Sequence, residues 1–256
     1  MRFFIISLAL VLLLLNFFNV SIEKDPLYNK IELFDSSLLH LNSLDKLIYY
    51  TDSTAYKNYV KKGSLQYGTL ASYIIKKRFY HGFSVYNFRQ NWIAAIAQYL
   101  IGNGLASPVH PGDILKYPFA GCSQQAIVLM DIMKMKKISY RSVGFLHHYA
   151  VELKFNNYWY YFDPDMEPKI NEKERLEENW NKSADNLKRY YSLSINHLDW
   201  GFGKSQLVKI GKINADPAPN ASIFQSVTKV LSKTLWIFPL FFTFHPRKKK
   251  LIKTKS

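Results

Sequence analysis

At 256 residues the chain has room for one well-filled domain plus extensions, and its 34 Lys and Arg against 19 Asp and Glu give a formal net charge of +15. One cysteine, Cys122, excludes an intramolecular disulfide, so any part outside the cytoplasm would be held by its core alone. A basic balance raises nucleic acid as a partner, but no recognition motif accompanies it, and no nucleic-acid binding is expected.

Residues 3–20 (FFIISLALVLLLLNFFNV) carry no charge. As one helix they would extend about 27 Å, near the hydrocarbon thickness of a bilayer. Residues 1–22 are therefore expected to be a signal-anchor or a signal peptide. Phe17, Phe18, Asn19 and Val20 supply no small-residue cleavage site, which favours the uncleaved anchor and a membrane-anchored, extracytoplasmic remainder.

Residues 23–213 form the expected main domain, helical up to about 110. Ser43 or Asn42 can cap a helix through Tyr50 with Leu44, Leu47 and Ile48 as its apolar stripe. A second helix is predicted from about Ser64 to Phe79, and a third from about Val85 to Ile101, stopped by Asn103-Gly104. Trp92, Ala95, Ile96 and Tyr99 have core-facing spacing on the third. Gln98 beside them is weighed as an oxyanion donor, a solvated glutamine being the simpler reading. Residues 102–121 are rich in Gly and Pro and form a loop leading to Cys122, where a groove wall would stand. His110 and Asp113 lie in that loop without metal-ligand spacing. No metal and no cofactor is expected.

Cys122–Met135 has helical periodicity in Ala126, Ile127, Met130 and Met133. Cys122 thus falls on the first turn, where unpaired N–H groups and the helix dipole stabilise a thiolate and could hold an oxyanion. Strands are predicted at Tyr140–Phe145, His148–Phe155 and Tyr158–Phe162, with Asn156-Asn157 as a two-residue turn because Asn tolerates positive φ. That turn sets 155 opposite 158 and 150 opposite 163. His148, Ala150 and Asp163 then share a face, and His147 points to the other one.

Beyond Asp163, charges at helical spacing from Glu172 to Tyr191 predict a solvated helix, and Leu207–Ile213 a last strand. Residues 214–225, with DPAPN, are expected as a linker. Residues 226–256 are an apolar segment with a basic tail, suited to an anionic lipid surface.

A helix opening on Cys122, then His148 with Val151 and Glu152 on a strand, then Trp159 with Asp163 and Pro164, resembles the transglutaminase-like superfamily with its papain-type core. Arg141 and Gly144 fit the strand between them. The resemblance covers about 45 residues. It implies Cys122 as nucleophile, His148 as base and Asp163 as orienter. The implied fold is α+β: a helical N-terminal half packed on a small antiparallel sheet, in a transglutaminase-like, cysteine-proteinase core. The implied function is cleavage or transfer of an amide acyl group on a peptide or protein substrate. The alternative is a catalytically inactive module of the same fold that binds peptide or glycan at a cell envelope.

Overall fold

The computed structural model describes residues 2–180, 185–203 and 208–244. Helix α1 (Arg2–Leu14) opens the chain. Helix α2 (Leu44–Lys57) begins where Ser43 Oγ accepts the Lys46 N–H, and α3 (Leu65–Arg78) where Ser64 Oγ accepts that of Tyr67. After the short strand β1 (Tyr80–His81), α4 (Phe88–Ile101) starts on a reciprocal cap between Asn87 and Gln90. One turn of helix, α5 (Pro111–Ile114), interrupts the loop before β2 (Phe119–Ala120), which pairs parallel with β1. Helix α6 (Cys122–Met135) follows at once. Three strands come next: β3 (Tyr140–Gly144), β4 (Tyr149–Phe155) and β5 (Tyr158–Phe162). The chain continues through α7 (Glu172–Arg175), α8 (Glu177–Trp180), α9 (Asp185–Lys188) and α10 (Ile195–Phe202). It ends with β6 (Lys209–Ile210), α11 (Pro219–Thr234) and α12 (Ile237–Phe244). The class is α+β, helices with one small antiparallel sheet, as expected.

Two compact units result, the larger made of Lys24–Ser84 and Ser107–Ser222. Its sheet has the order β5-β4-β3-β6, every pair antiparallel. Asn156 (φ 48°) and Asn157 (φ 69°) make the two-residue turn, and Phe155 stands opposite Tyr158, so the predicted register holds. Alternation sorts the sheet into two faces. Val151, Leu153, Phe155, Tyr160 and Phe162 enter the main core with Ala126, Ile127, Met130 and Met133 of α6. Gly68 lets α3 approach closely, since a Cβ there would sit 3.0 Å from the Phe162 ring.

Val143, Ala150 and Tyr161 on the opposite face lie in a second cluster with Trp180, Leu187, Tyr191, Leu198 and Phe202. Here the structure corrects the sequence reading of 172–191. The segment is not one solvated helix but several short ones with an apolar underside, residues 181–184 lying outside the described ones. Two of its charges are buried and paired, Arg175 with Glu167 and Lys188 Nζ with Asp199 at 2.6 Å, while Glu172, Lys173, Glu178, Asp185 and Arg189 stay exposed. The charged residues thus face solvent on one side while the segment buries an apolar underside on the other. The last strand is only Lys209–Ile210, against Gly144 and Val143, and Leu207 lies outside the described residues.

The smaller unit is built from the described residues within Met1–Glu23, Val85–Ala106 and Ile223–Ser256. In it α11 buries its polar side. Asn91 Nδ2 donates to Thr228 Oγ1 at 2.9 Å and Trp92 Nε1 to the Ser232 carbonyl at 2.8 Å, while Ile223, Val227 and Val230 are exposed. Asn91 itself leaves helical φ/ψ, and its Oδ1 accepts the Ala94 N–H, restarting α4 from within. Trp92 and Ala95 are buried as expected, but Tyr99 is exposed, because the last turn of α4 (Tyr99, Leu100, Ile101) is exposed on all sides.

The membrane-anchored localisation, transmembrane segment and signal anchor expected from residues 3–20 are corrected. No helix among the described residues is long and apolar enough to cross a membrane. The apolar run is not one helix: α1 has 13 residues, roughly 20 Å, short of a hydrocarbon core. A 3₁₀ turn follows α1 at Leu15–Phe17, within which the Asn16 amide folds back onto the Leu12 carbonyl at 3.2 Å, and Phe18 is extended. The C-terminal apolar stretch likewise divides into α11 and the eight-residue α12. The basic tail, residues 245–256, lies outside the described residues.

Candidate active site

Cys122 is the first residue of α6 and is 6% exposed. The Gln124 side chain fixes this helix start. Its Oε1 accepts the N–H groups of Gly121 (3.1 Å) and Ser84 (3.0 Å), and its Nε2 donates to the carbonyls of Ser84 and Pro108. One amide thus clamps three approaching loop segments around the cysteine. Gly121 is required by space: a Cβ there would lie 2.6 Å from the Phe83 ring.

His148 stands one residue before β4, and Asp163 one residue after β5. The Asn156-Asn157 register brings them together across the hairpin. His148 Nε2 bonds Asp163 Oδ2 at 2.8 Å, with His148 6% exposed and Asp163 fully buried. The Cys122 thiol stands close enough to the same imidazole to help raise it. With Nε2 committed to Asp163, Nδ1 is the nitrogen left for the thiol. In one respect the geometry differs from the expectation of a sheet face looking at the nucleophile. His148 and Ala150 share the face away from α6, and the imidazole reaches Cys122 only because both lie at the sheet's end, outside the strands proper. His147 points elsewhere: its ring stacks on Trp200 at 4.8 Å, and its N–H donates to the Gly201 carbonyl.

Asp163 is held more tightly than the strand pattern implied. Oδ2 also accepts from Tyr191 Oη at 2.7 Å and Tyr161 Oη at 3.4 Å, and the two phenols are 2.9 Å apart. Oδ1 accepts the N–H groups of Asp165 and Met166, closing the turn after the strand. Phe145 and Phe202 cover the imidazole, at 6.1 and 5.1 Å between ring centres. Burial by itself would push His148 down, but the Asp163 carboxylate, then the thiol, hold it well above the ordinary imidazole value. Burial likewise opposes the Asp163 charge, and His148, Tyr191 and the Met166 N–H overcome it, leaving Asp163 below its usual value. Both phenols are pushed well up by burial and by Asp163, so they remain protonated donors.

These directions fix a pH dependence. The raised His148 contributes stability that is complete below about 6.5, its unfolded value, and is lost as pH rises through the folded value. The lowered Asp163 contributes stability that is present above 3.8 and lost as pH falls through its folded value. The pair therefore stabilises the fold most between these limits. In urea titrations from pH 4 to 9, the stability difference between wild type and Asp163→Asn should be largest near pH 5–6 and shrink towards pH 9. A difference that does not vary with pH would show that the pair is not ionised.

Three of the other residues carrying the resemblance, Arg141, Glu152 and Trp159, form one cluster. Arg141 pairs with the buried Glu152 at 2.7 Å and with Glu177 at 2.6 Å, and its guanidinium lies 4.3 Å from the Trp159 ring centre. Burial raises Glu152 to about 7 despite the pairing with Arg141. These contacts tie β3, β4 and β5 to α8 and hold the hairpin that carries His148 and Asp163. Gln98 belongs to the other unit, where its amide donates to Glu23 Oε1 at 3.0 Å. Asp113 pairs with Lys116 at 2.7 Å, and no group that could hold a metal is found among the described residues. Sequence reasoning missed Tyr161, Tyr191, Asp165, Gln125 and His81 around the site. Tyr161 and Asp165, each two residues from Asp163, and Gln125, three from Cys122, had a local signal, whereas Tyr191 and His81 had none. No family model matches the chain, and neither a curated protein nor a solved structure is significantly similar to it.

Proposed function

We propose that this protein is a thiol enzyme of transglutaminase-like type that cleaves or transfers an amide acyl group of a peptide or protein substrate. With the thiol proton already on His148, the Cys122 sulfur adds to the carbonyl carbon, forming the S–C bond as the C=O π pair moves onto oxygen. His148 returns that proton to the leaving amine as the C–N bond breaks, and Asp163 holds the imidazolium throughout. The acyl-enzyme is then discharged by water or by an amine. A single observation carries this reading: one buried imidazole, held by a carboxylate whose remaining lone pairs are filled by phenol and backbone donors, stands within electrostatic reach of the lone thiol. A histidine placed only for packing has no need of four converging donors to orient its acceptor.

The test is stoichiometric alkylation with iodoacetamide, followed by mass. Cys122 should react rapidly near neutral pH in wild type. In His148→Ala it should slow towards the behaviour of an ordinary thiol, which ionises near about 8.5. Equal rates and equal pH profiles in both proteins would overturn the role of His148.

A further inference from the structure

A second histidine–carboxylate pair stands beside the first. His81 Nδ1 bonds both oxygens of Asp165, at 3.1 and 3.0 Å, and Asp165 Oδ1 also accepts from Gln125 Nε2 at 2.7 Å. Three independent tethers bring this pair to the nucleophile. Through the pairing of β1 with β2, His81 lies opposite Ala120, two residues before Cys122. Gln125 is three residues after Cys122 on α6, which places the two on the same side of the helix. The Asp165 N–H donates to Oδ1 of Asp163. The two pairs thus share a turn, and the charge of His148 is felt at His81.

Their exposure differs. Asp165 is buried, with 5% of its side chain exposed, whereas 53% of the His81 side chain is open to solvent. With Nδ1 fixed on a buried carboxylate, the ring presents Nε2 outward. The Asp165 hydrogen bond raises the His81 imidazolium, burial opposes this, and the charges of Asp165 and Glu32 add to the rise while His148 works against it. Glu32, whose Oε2 accepts the His81 backbone N–H, is the other charged group facing it. A charged ring offers an Nε2–H donor, not an acceptor.

We infer that His81 is a further catalytic residue, whose Nε2–H hydrogen-bonds the substrate carbonyl oxygen and stabilises the oxyanion formed when Cys122 adds to it, with Asp165 and Gln125 as its positioning residues. This rests on the thiol reading above. In the step concerned, the Cys122 sulfur forms a bond to the carbonyl carbon and the C=O π pair moves onto oxygen. That oxygen accepts from His81 without taking its proton, and the pair returns when the leaving group departs. The substrate class that follows is an acyl group with a carbonyl oxygen free to turn towards β1, as in a peptide amide or an activated ester.

Two probes of Cys122 separate this role from a structural one. Acylation by p-nitrophenyl acetate passes through an oxyanion, whereas alkylation by iodoacetamide does not. In His81→Ala the acylation rate should fall roughly 10²-fold, the usual loss for one oxyanion donor, while alkylation at the same pH stays within about threefold. His81→Gln, which keeps an N–H donor, should recover part of the loss. Unchanged acylation in His81→Ala, or equal losses with both probes, would overturn the assignment. Wild-type protein inert to both probes would instead overturn the thiol reading itself, so the two failures are told apart.

Discussion

Replacing His148 with alanine is expected to slow acylation of Cys122 by p-nitrophenyl acetate by roughly three to six orders of magnitude, because members of a coupled proton-transfer unit lose nearly everything singly. His147→Ala should stay within about a factor of two of wild type, as expected for a surface change. The contrast is sharp because the residues are neighbours in sequence. One imidazole is buried between Cys122 and Asp163, and the other lies against Trp200. The measurement is initial p-nitrophenolate release under single-turnover conditions. An inactive His147→Ala beside an active His148→Ala would mean that Asp163 orients nothing, and the hairpin would lose its part in the chemistry.

The largest expected effect on stability is at Trp180. It is 1% exposed, the largest of the fully buried side chains, and it packs on Tyr161 at 5.2 Å and Phe145 at 6.3 Å between ring centres. Trp180→Ala should cost about 3–5 kcal/mol through lost transfer energy and the cavity left behind. For a unit of this size that lowers Tm by on the order of 10 °C. Activity should fall as well, because Trp180 supports Tyr161 and Tyr161 contacts Tyr191 and Asp163. A Tm change under about 2 °C in thermal unfolding would show that α8 does not close this side of the sheet. Trp180→Phe, which keeps most of the volume, should recover a large part of both losses.

The sequence by itself determined the local elements around the site. Ser43 and Ser64 cap as their positions require, α6 runs from Cys122 to Met135, and the Asn156-Asn157 turn sets the register that joins His148 to Asp163. All of these depend on neighbours within a few residues, through capping, periodicity and positive φ, so the pattern carries them. Tertiary structure alone decided what surrounds that hairpin. Tyr191 meets Asp163 from 28 residues away and His81 meets Asp165 from 84 away, and neither spacing leaves a periodic trace. The 172–191 segment looked solvated because its charges hide an apolar underside, and their partners at Glu167 and Asp199 cannot be read from helical spacing. The 3–20 run looked like a span because hydropathy is additive along the chain, whereas helix length is not. Here the α-helix ends at Leu14 and tightens to one 3₁₀ turn at Leu15–Phe17, in which the Asn16 amide returns to the Leu12 carbonyl.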